Sequence, residues 1–276
     1  VADAKAALTV LNRVAAKTFP KGRAVNPMAV KITEFRKTFA ASNAKAATSD
    51  AFPMMPERIL ADVRRALPVD GILTTDVGWN KNGVGQQFDI LTPGSILTPG
   101  GFATMGFGPP AAIGAKLAAP ERTVLSLVGD GGFGQNPAML ATAVELELGI
   151  VWLVMNNNAF GTIAGLQKAH YGLTYGTTFP GEAGAPANGP DYALIAQAYG
   201  ATGMRVDSAN ALCFLETELQ LMEEMVELGD ADPPLLRAFS YWSRDSVLAI
   251  SGPSTAIPVV TELGRYLATN QDDKPL

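Results

Sequence analysis

Two apolar runs, Thr123-Val-Leu-Ser-Leu-Val128 and Ile150-Val-Trp-Leu-Val-Met155, constrain the fold of this chain more than any other feature. Neither alternates polar with apolar residues, so neither suits a sheet with one face in water. Near-continuous runs of strand length belong to parallel sheets buried on both faces. Parallel neighbours need a crossover, and Pro137–Leu148 reads as the helix between these two. The same alternation extends to either side. Pro56 opens a helix to Leu67, where its missing N–H is harmless. Gly71–Thr75 reads as a strand ending at Asp76, and Pro109-Pro110 opens an alanine-rich helix to Ala118. Further on come a helix over Asp191–Tyr199, a short strand over Met204–Val206, a helix over 210–228 and a last strand over Leu235–Phe239. The predicted fold class is α/β, a parallel sheet with helices on both faces.

The ends read differently. Residues 3–15 form an amphipathic helix with Leu8, Leu11 and Val14 on one face, a basic stretch runs from Lys17 to Met28, and 29–48 is partly helical. Residues 1–50 are therefore expected to be an arm or linker, and 241–276 a C-terminal tail with a helix near 255–268 bent at Pro258. That tail, with Trp242, Arg244 and Asp245, reads as a docked surface helix or a lid. The single cysteine, Cys213, excludes a disulfide scaffold and a cysteine-rich zinc site; the single histidine, His170, excludes multi-histidine metal sites. A net charge of −5 argues against a nucleic-acid partner. No apolar run is long enough to span a membrane. The chain begins at Val1 without a signal-peptide pattern. A cytoplasmic protein is the expectation, and the missing Met points to a piece of a longer or trimmed chain.

Gly129-Asp-Gly-Gly-Phe-Gly134 sits between a buried strand and a helix, where open α/β sheets bind ligands. Backbone N–H groups there favour an anion. Gly129, Gly131 and Gly134 fit the dinucleotide pattern, which also wants an acidic residue at the end of the next strand. Asn156-Asn157-Asn158 stands there instead, which disfavours a nicotinamide or flavin. Asp130 and Asn157 lie at the mouths of adjacent strands. A carboxylate, an amide oxygen and a backbone carbonyl are hard ligands of the kind Mg²⁺ takes beside phosphate oxygens and water.

Gly129-Asp130-Gly131, 24 residues, then Asn156-Asn157 resembles the signature of thiamine diphosphate enzymes. Thr75-Asp-Val-Gly78 and the segment Gly100–Gly114 resemble the acetolactate synthase branch, and the likeness covers about residues 53–240. The resemblance implies that 51–240 is a thiamine diphosphate- and Mg-binding domain, and that the first helix is the end of a central domain. It implies that Asp130, Asn157 and the carbonyl of Ala159 hold Mg²⁺. Backbone N–H groups of Gly131, Gly132 and Phe133 would face the diphosphate, with Gly78, Trp79 and Asn80 on its other side. Met105 would be the apolar wedge that bends the cofactor, and the backbone of Ala103 would bond its aminopyrimidine. The activity implied is making or breaking a carbon–carbon bond next to a carbonyl, on a small carbonyl substrate: a carboligase, a decarboxylase or an acyl-CoA lyase.

Some positions depart from that pattern. The activating glutamate comes from a pyrimidine-binding domain that nothing in residues 1–50 resembles. It is expected on a second chain or a cleaved part, in a dimer or tetramer of such units. Phe160, Thr162, Ile163 and Leu166 are the substrate-pocket candidates. Leu166 stands where acetolactate synthases carry Trp, Thr162 where they carry Met, and no Glu lies near Ile163 and Ala164 as pyruvate decarboxylases have. His170 reads as structural or surface, Trp152 and Cys213 as core, and Glu145, Glu147 and the run Glu216–Glu227 as solvated charges. Trp79 either lines the site or packs inside. The alternatives are a dinucleotide-dependent oxidoreductase and a non-catalytic subunit with the cofactor fold.

Overall fold

A computed structural model describes residues 2–22, 26–179 and 189–206 in full, and the backbone of 237–240 and 248–251. The chain divides into two compact units, 1–45 and 46–276. The first holds helix α1 (Ala4–Thr18) and all but the last two residues of α2 (Pro27–Ala47). Asp3 caps α1 by accepting the Ala6 N–H at 2.8 Å. Neither helix has a buried residue; Leu8, Leu11 and Val14 are all more than half exposed.

In the second unit, α3 (Pro56–Ala66), β1 (Ile72–Thr75), α4 (Trp79–Gln87), β2 (Ile96–Leu97), α5 (Gly108–Ala118), β3 (Val124–Gly129), α6 (Asp130–Phe133), α7 (Met139–Glu145), β4 (Ile150–Met155), α8 (Gly161–Tyr171), α9 (Tyr192–Ala198) and β5 (Ala201–Arg205) follow in order. Strands β6 (Arg237–Ser240) and β7 (Leu248–Ser251) complete the described sheet, in the order β2-β1-β3-β4-β6-β5-β7. From β2 to β4 the pairing is parallel, with Leu125 opposite Leu73 and Val151, and β7 is antiparallel to its neighbours.

Side-chain alternation splits the core into two layers. Leu73, Leu125, Leu127, Val151 and Leu153 pack with Ile59, Leu60 and Val63 of α3 and Val84 of α4. Ile72, Val124, Val128, Trp152 and Val154 face Ala112 and Ile113 of α5, Leu140 of α7 and Ala193 of α9. Each large side chain buried this way contributes roughly 1.5–3 kcal/mol. Both faces of β3 and β4 are therefore dry, which is why those strands read as unbroken apolar runs. Trp152 is core, as its place in the second run implies.

Three differences from the sequence reading have local causes. The glycine-rich segment Gly129–Gly134, placed between a strand and a helix, itself contains one helical turn, because Gly134 N–H reaches the Asp130 carbonyl at 2.8 Å. The helix expected from Pro137 starts at Met139, after a turn in which Met139 N–H reaches the Asn136 carbonyl. The strand expected at Met204–Val206 starts at Ala201, right after Gly200 (φ +82°) ends α9. The helices expected over 210–228 and 255–268, Cys213, Glu216–Glu227 and Trp242, Arg244 and Asp245 lie outside the described residues. Among the described residues, no helix is long and apolar enough to cross a membrane.

Candidate active site

The carboxyl ends of β1, β3 and β4 open onto one cleft of about 620 Å³, including its share of open solvent. Twelve of the candidates named from sequence line it. From the end of β1 come Gly78, Trp79 and Asn80, and from the loop before α5, Met105. The ends of β3 and β4 supply Asp130, Gly131, Gly132, Asn157 and Ala159, and α8 supplies Thr162 and Ile163, with Phe160 just before it. Three candidates lie off this lining. Phe133 is buried in the core, edge-on to Tyr192. Leu166, one turn further along α8, is 56% exposed. Ala103 sits two residues before Met105 at φ +52°, a left-handed conformation uncommon for alanine.

Asp130 and Asn157 meet at one atom. Asp130 Oδ2 accepts the Ala159 N–H at 3.2 Å, and Asn157 Oδ1 accepts the same N–H at 3.1 Å. Two hard oxygen donors from different strand tips thus converge, with the Ala159 backbone between them. Burial pushes the Asp130 carboxyl up to about 6, against the backbone N–H groups of Gly131, Ala159 and Asn158 that favour its charged form. A dry carboxylate next to an amide oxygen suits a small divalent cation. Among the described residues there is no cluster of three His, Cys, Asp or Glu side chains that could hold a metal. Asp130 is the acidic residue among the described residues that line the cleft, so a cation here would rest on one carboxylate, with neutral oxygens and ligand phosphate completing its shell.

The surroundings fit an anion beside that cation. Gly131 N–H donates to Asp130 Oδ1 at 2.9 Å, whereas the N–H of Gly132, in the first turn of α6, has no intrahelical acceptor. Helix α4 aims its N-terminus into the cleft from the far side. Its cap, Gly78, has φ +132°, a conformation that requires glycine. Asn80 lines the cleft and anchors its side chain inward, donating to the Leu127 carbonyl at 2.9 Å. A Cβ on Gly131 would stand 2.7 Å from the Phe160 ring and 2.8 Å from Met105 Cε. Phe160 and Met105 can come this close to Gly131 only because it has no side chain.

Residues without a pattern of their own hold these groups in place. Tyr192 O–H donates to the Asp130 carbonyl at 3.0 Å, bracing the α6 turn from α9; burial, with Asp130 nearby, pushes its phenol above the usual tyrosine range. Gln167 on α8 accepts from Tyr175 N–H and Thr177 O–H and donates to the Tyr175 carbonyl. The segment so held returns along the β4 tip: Phe160 N–H reaches the Thr177 carbonyl at 2.8 Å, and Phe179 N–H the Asn158 carbonyl at 2.9 Å. Asp76 accepts three backbone N–H groups at the end of β1. Spacing signals neither Tyr192 nor Gln167, and Asp76 lies within the Thr75–Gly78 motif without a role implied for it; buried, hydrogen-bonded polar residues at or next to motif positions would have been the clue. His170 is exposed in the last turn of α8, and Glu145 and Glu147 are exposed too.

Comparison with known proteins gives this geometry a context. Residues 76–227 match the family described as thiamine pyrophosphate enzyme, C-terminal TPP binding domain. The chain is similar to a probable acetolactate synthase large subunit of Methanocaldococcus jannaschii, 34% identical over 196 residues, 67% of this chain and 32% of the relative. It is also 36% identical over 179 residues to a probable 2-ketoarginine decarboxylase of Pseudomonas aeruginosa, covering 63% of this chain and 29% of that one. Among solved structures, a Rhodococcus jostii thiamine diphosphate-dependent 4-hydroxybenzoylformate decarboxylase superposes with a TM-score of 0.56 at 28% identity, over 64% of this chain and 32% of that chain. The chain spans about a third of the length of these relatives.

Proposed function

The chain belongs to the thiamine pyrophosphate enzymes, whose C-terminal cofactor-binding domain it carries, and on that footing we propose that it grips Mg²⁺–thiamine diphosphate as one component of an enzyme acting on a carbon–carbon bond next to a carbonyl. The carrying observation is the convergence of Asp130 Oδ2 and Asn157 Oδ1 on one N–H. In this reading Asp130, Asn157 and the Ala159 carbonyl hold Mg²⁺. The first turns of α6 and α4 receive the diphosphate, Met105 supports the bend of the cofactor, and the Ala103 backbone meets its aminopyrimidine. When bound, thiamine diphosphate supplies the nucleophilic carbon and the electron sink; the protein supplies position and field.

Substrates of this class are 2-oxo acids, 2-hydroxy ketones and 2-hydroxyacyl thioesters. Phe160, Thr162 and Ile163 at the start of α8 form the protein side of that pocket. We read residues 1–50 as the end of a central domain, and the pyrimidine-binding domain as a separate chain or another part of the protein. The relatives include acetolactate synthases and decarboxylases, so 2-oxo acids are the first substrates to try. Combined with its pyrimidine-binding partner, the chain is expected to consume pyruvate or a bulkier 2-oxo acid only when Mg²⁺ and thiamine diphosphate are both present. Release of CO₂ and loss of the 2-oxo acid measure this. Consumption independent of the cofactor would contradict the proposal, and full turnover by this chain alone would contradict the need for a partner.

A further inference from the structure

We infer that Asp76 is a positioning residue: it fixes the loop carrying Ala103 and Met105 in the cleft, and so decides whether the site holds the whole thiamine diphosphate molecule or only its diphosphate. The inference rests on the cofactor reading above. Asp76 is fully buried at the end of β1. Its Oδ1 accepts Val77 N–H at 2.7 Å and Gly106 N–H at 3.1 Å, and its Oδ2 accepts Gly108 N–H at 2.7 Å. A buried carboxylate is tolerated only with such partners, and hydrogen bonds to a charged acceptor are the stronger kind.

The loop it holds needs an external tether. Gly101, Ala103 and Gly106 all have positive φ, at 55°, 52° and 87°, and for Ala103 that conformation is strained. Gly108 is the first residue of α5, and Phe107, in the N-cap position, makes no side-chain cap bond. Asp76 therefore takes the place of the missing cap from a different element, beside the positive end of the helix dipole. Gly132 rests on the same carboxylate: a Cβ there would stand 2.7 Å from Asp76 Cγ and Oδ1. One side chain thus ties the Met105 loop to the β1 tip and gives the α6 turn its seat.

Asparagine separates the two contacts. It is isosteric, so the seat under Gly132 keeps its shape. It has one acceptor oxygen where three N–H groups converge, and its NH₂ faces a donor in a site water does not reach. In either orientation of the amide, the Gly106 or the Gly108 N–H faces the NH₂ instead of an acceptor, so the loop tether weakens while the diphosphate cradle stays. The test measures affinities of the full chain and of Asp76→Asn for thiamine diphosphate and for inorganic pyrophosphate, both at saturating Mg²⁺, with melting temperatures alongside. The expected result is a loss of about tenfold or more for thiamine diphosphate and little change for pyrophosphate. Equal losses for both ligands, falling with the melting temperature, would reduce Asp76 to a structural role and overturn the inference, as would no loss for either. Failure of the unaltered chain to bind thiamine diphosphate at all would sink the cofactor reading instead. Should Asp76→Asn not fold, amide exchange in the unaltered chain decides. Protection of the Gly106 and Gly108 N–H groups comparable to that of β1 supports the tether, and exchange as fast as at exposed Phe102 refutes it.

Discussion

Replacing Asp130 with alanine is expected to weaken binding of Mg²⁺–thiamine diphosphate by roughly a hundredfold, ~2.7 kcal/mol, with the melting temperature of the ligand-free chain at pH 7 nearly unchanged. Among the described residues, Asp130 is the one carboxylate at the meeting point of the β3 and β4 tips; Asn157 and the Ala159 carbonyl offer only neutral oxygens. Without its charge, Mg²⁺ has no reason to leave water. Stability follows a different rule. Burial raises Asp130 to about 6 from its ordinary 3.8, so the folded chain holds that proton more tightly than the unfolded one. The side chain's favourable contribution is complete below pH ~4 and lost as pH rises through ~6. At neutral pH, alanine removes an ionised group that burial disfavours, which offsets the hydrogen bonds to Gly131 and Ala159 that go with it. A calorimetric titration together with a thermal melt reads both effects. Unchanged affinity would remove Asp130 from the metal site.

Gly131→Ala is expected to weaken cofactor binding by about tenfold or more at little cost in stability. The added methyl meets the Phe160 ring and Met105 Cε under 3 Å away. Both are side-chain ends on the cleft lining, so both can yield by moving into the space the cofactor would fill. Gly132→Ala, one residue along, provides the contrast. Its methyl meets the buried Asp76 carboxylate at 2.7 Å and Val128 at 3.0 Å, and with nowhere to move it should destabilise the fold by about 1–3 kcal/mol. Urea midpoints and binding isotherms of the two variants separate these cases. Equal stability losses would mean that Phe160 and Met105 are fixed over Gly131 as core and cannot yield.

The sheet was legible because its central strands are dry on both faces. Thr123–Val128 and Ile150–Met155 could hardly be anything else, and the structure places β3 and β4 within one residue of those runs. The strand-mouth residues Asp130 and Asn157 were legible because a charged or amide residue at such a position has few structural uses. Helix α4 was not. Its sequence, Trp-Asn-Lys-Asn-Gly-Val-Gly-Gln-Gln, carries two glycines, each unfavourable by about 1 kcal/mol in a helix. Tertiary contacts hold it instead: Asn80 on the Leu127 carbonyl, Val84 in the core, and the Trp79 ring against Gly83. The roles of Gln167 and of Asp76, although Asp76 stands in the Thr75–Gly78 motif, escaped for a related reason. Each works by bonding backbone atoms brought close only by the fold, and such a role leaves no period or spacing in the sequence. The pocket candidates divide the same way. Phe160, Thr162 and Ile163 follow the β4 tip directly and reach the cleft, whereas Leu166 is one helical turn too far.

The central claim is that the tips of β3 and β4 hold a metal and a diphosphate as one unit. Calorimetric titration of thiamine diphosphate into the full chain, with saturating Mg²⁺ and again in the presence of a chelator, tests it directly. Linkage requires that if the metal strengthens cofactor binding, the cofactor strengthens metal binding by the same factor. The account predicts saturable binding with Mg²⁺ and a loss of about a hundredfold or more without it. Equal affinity under both conditions would contradict it.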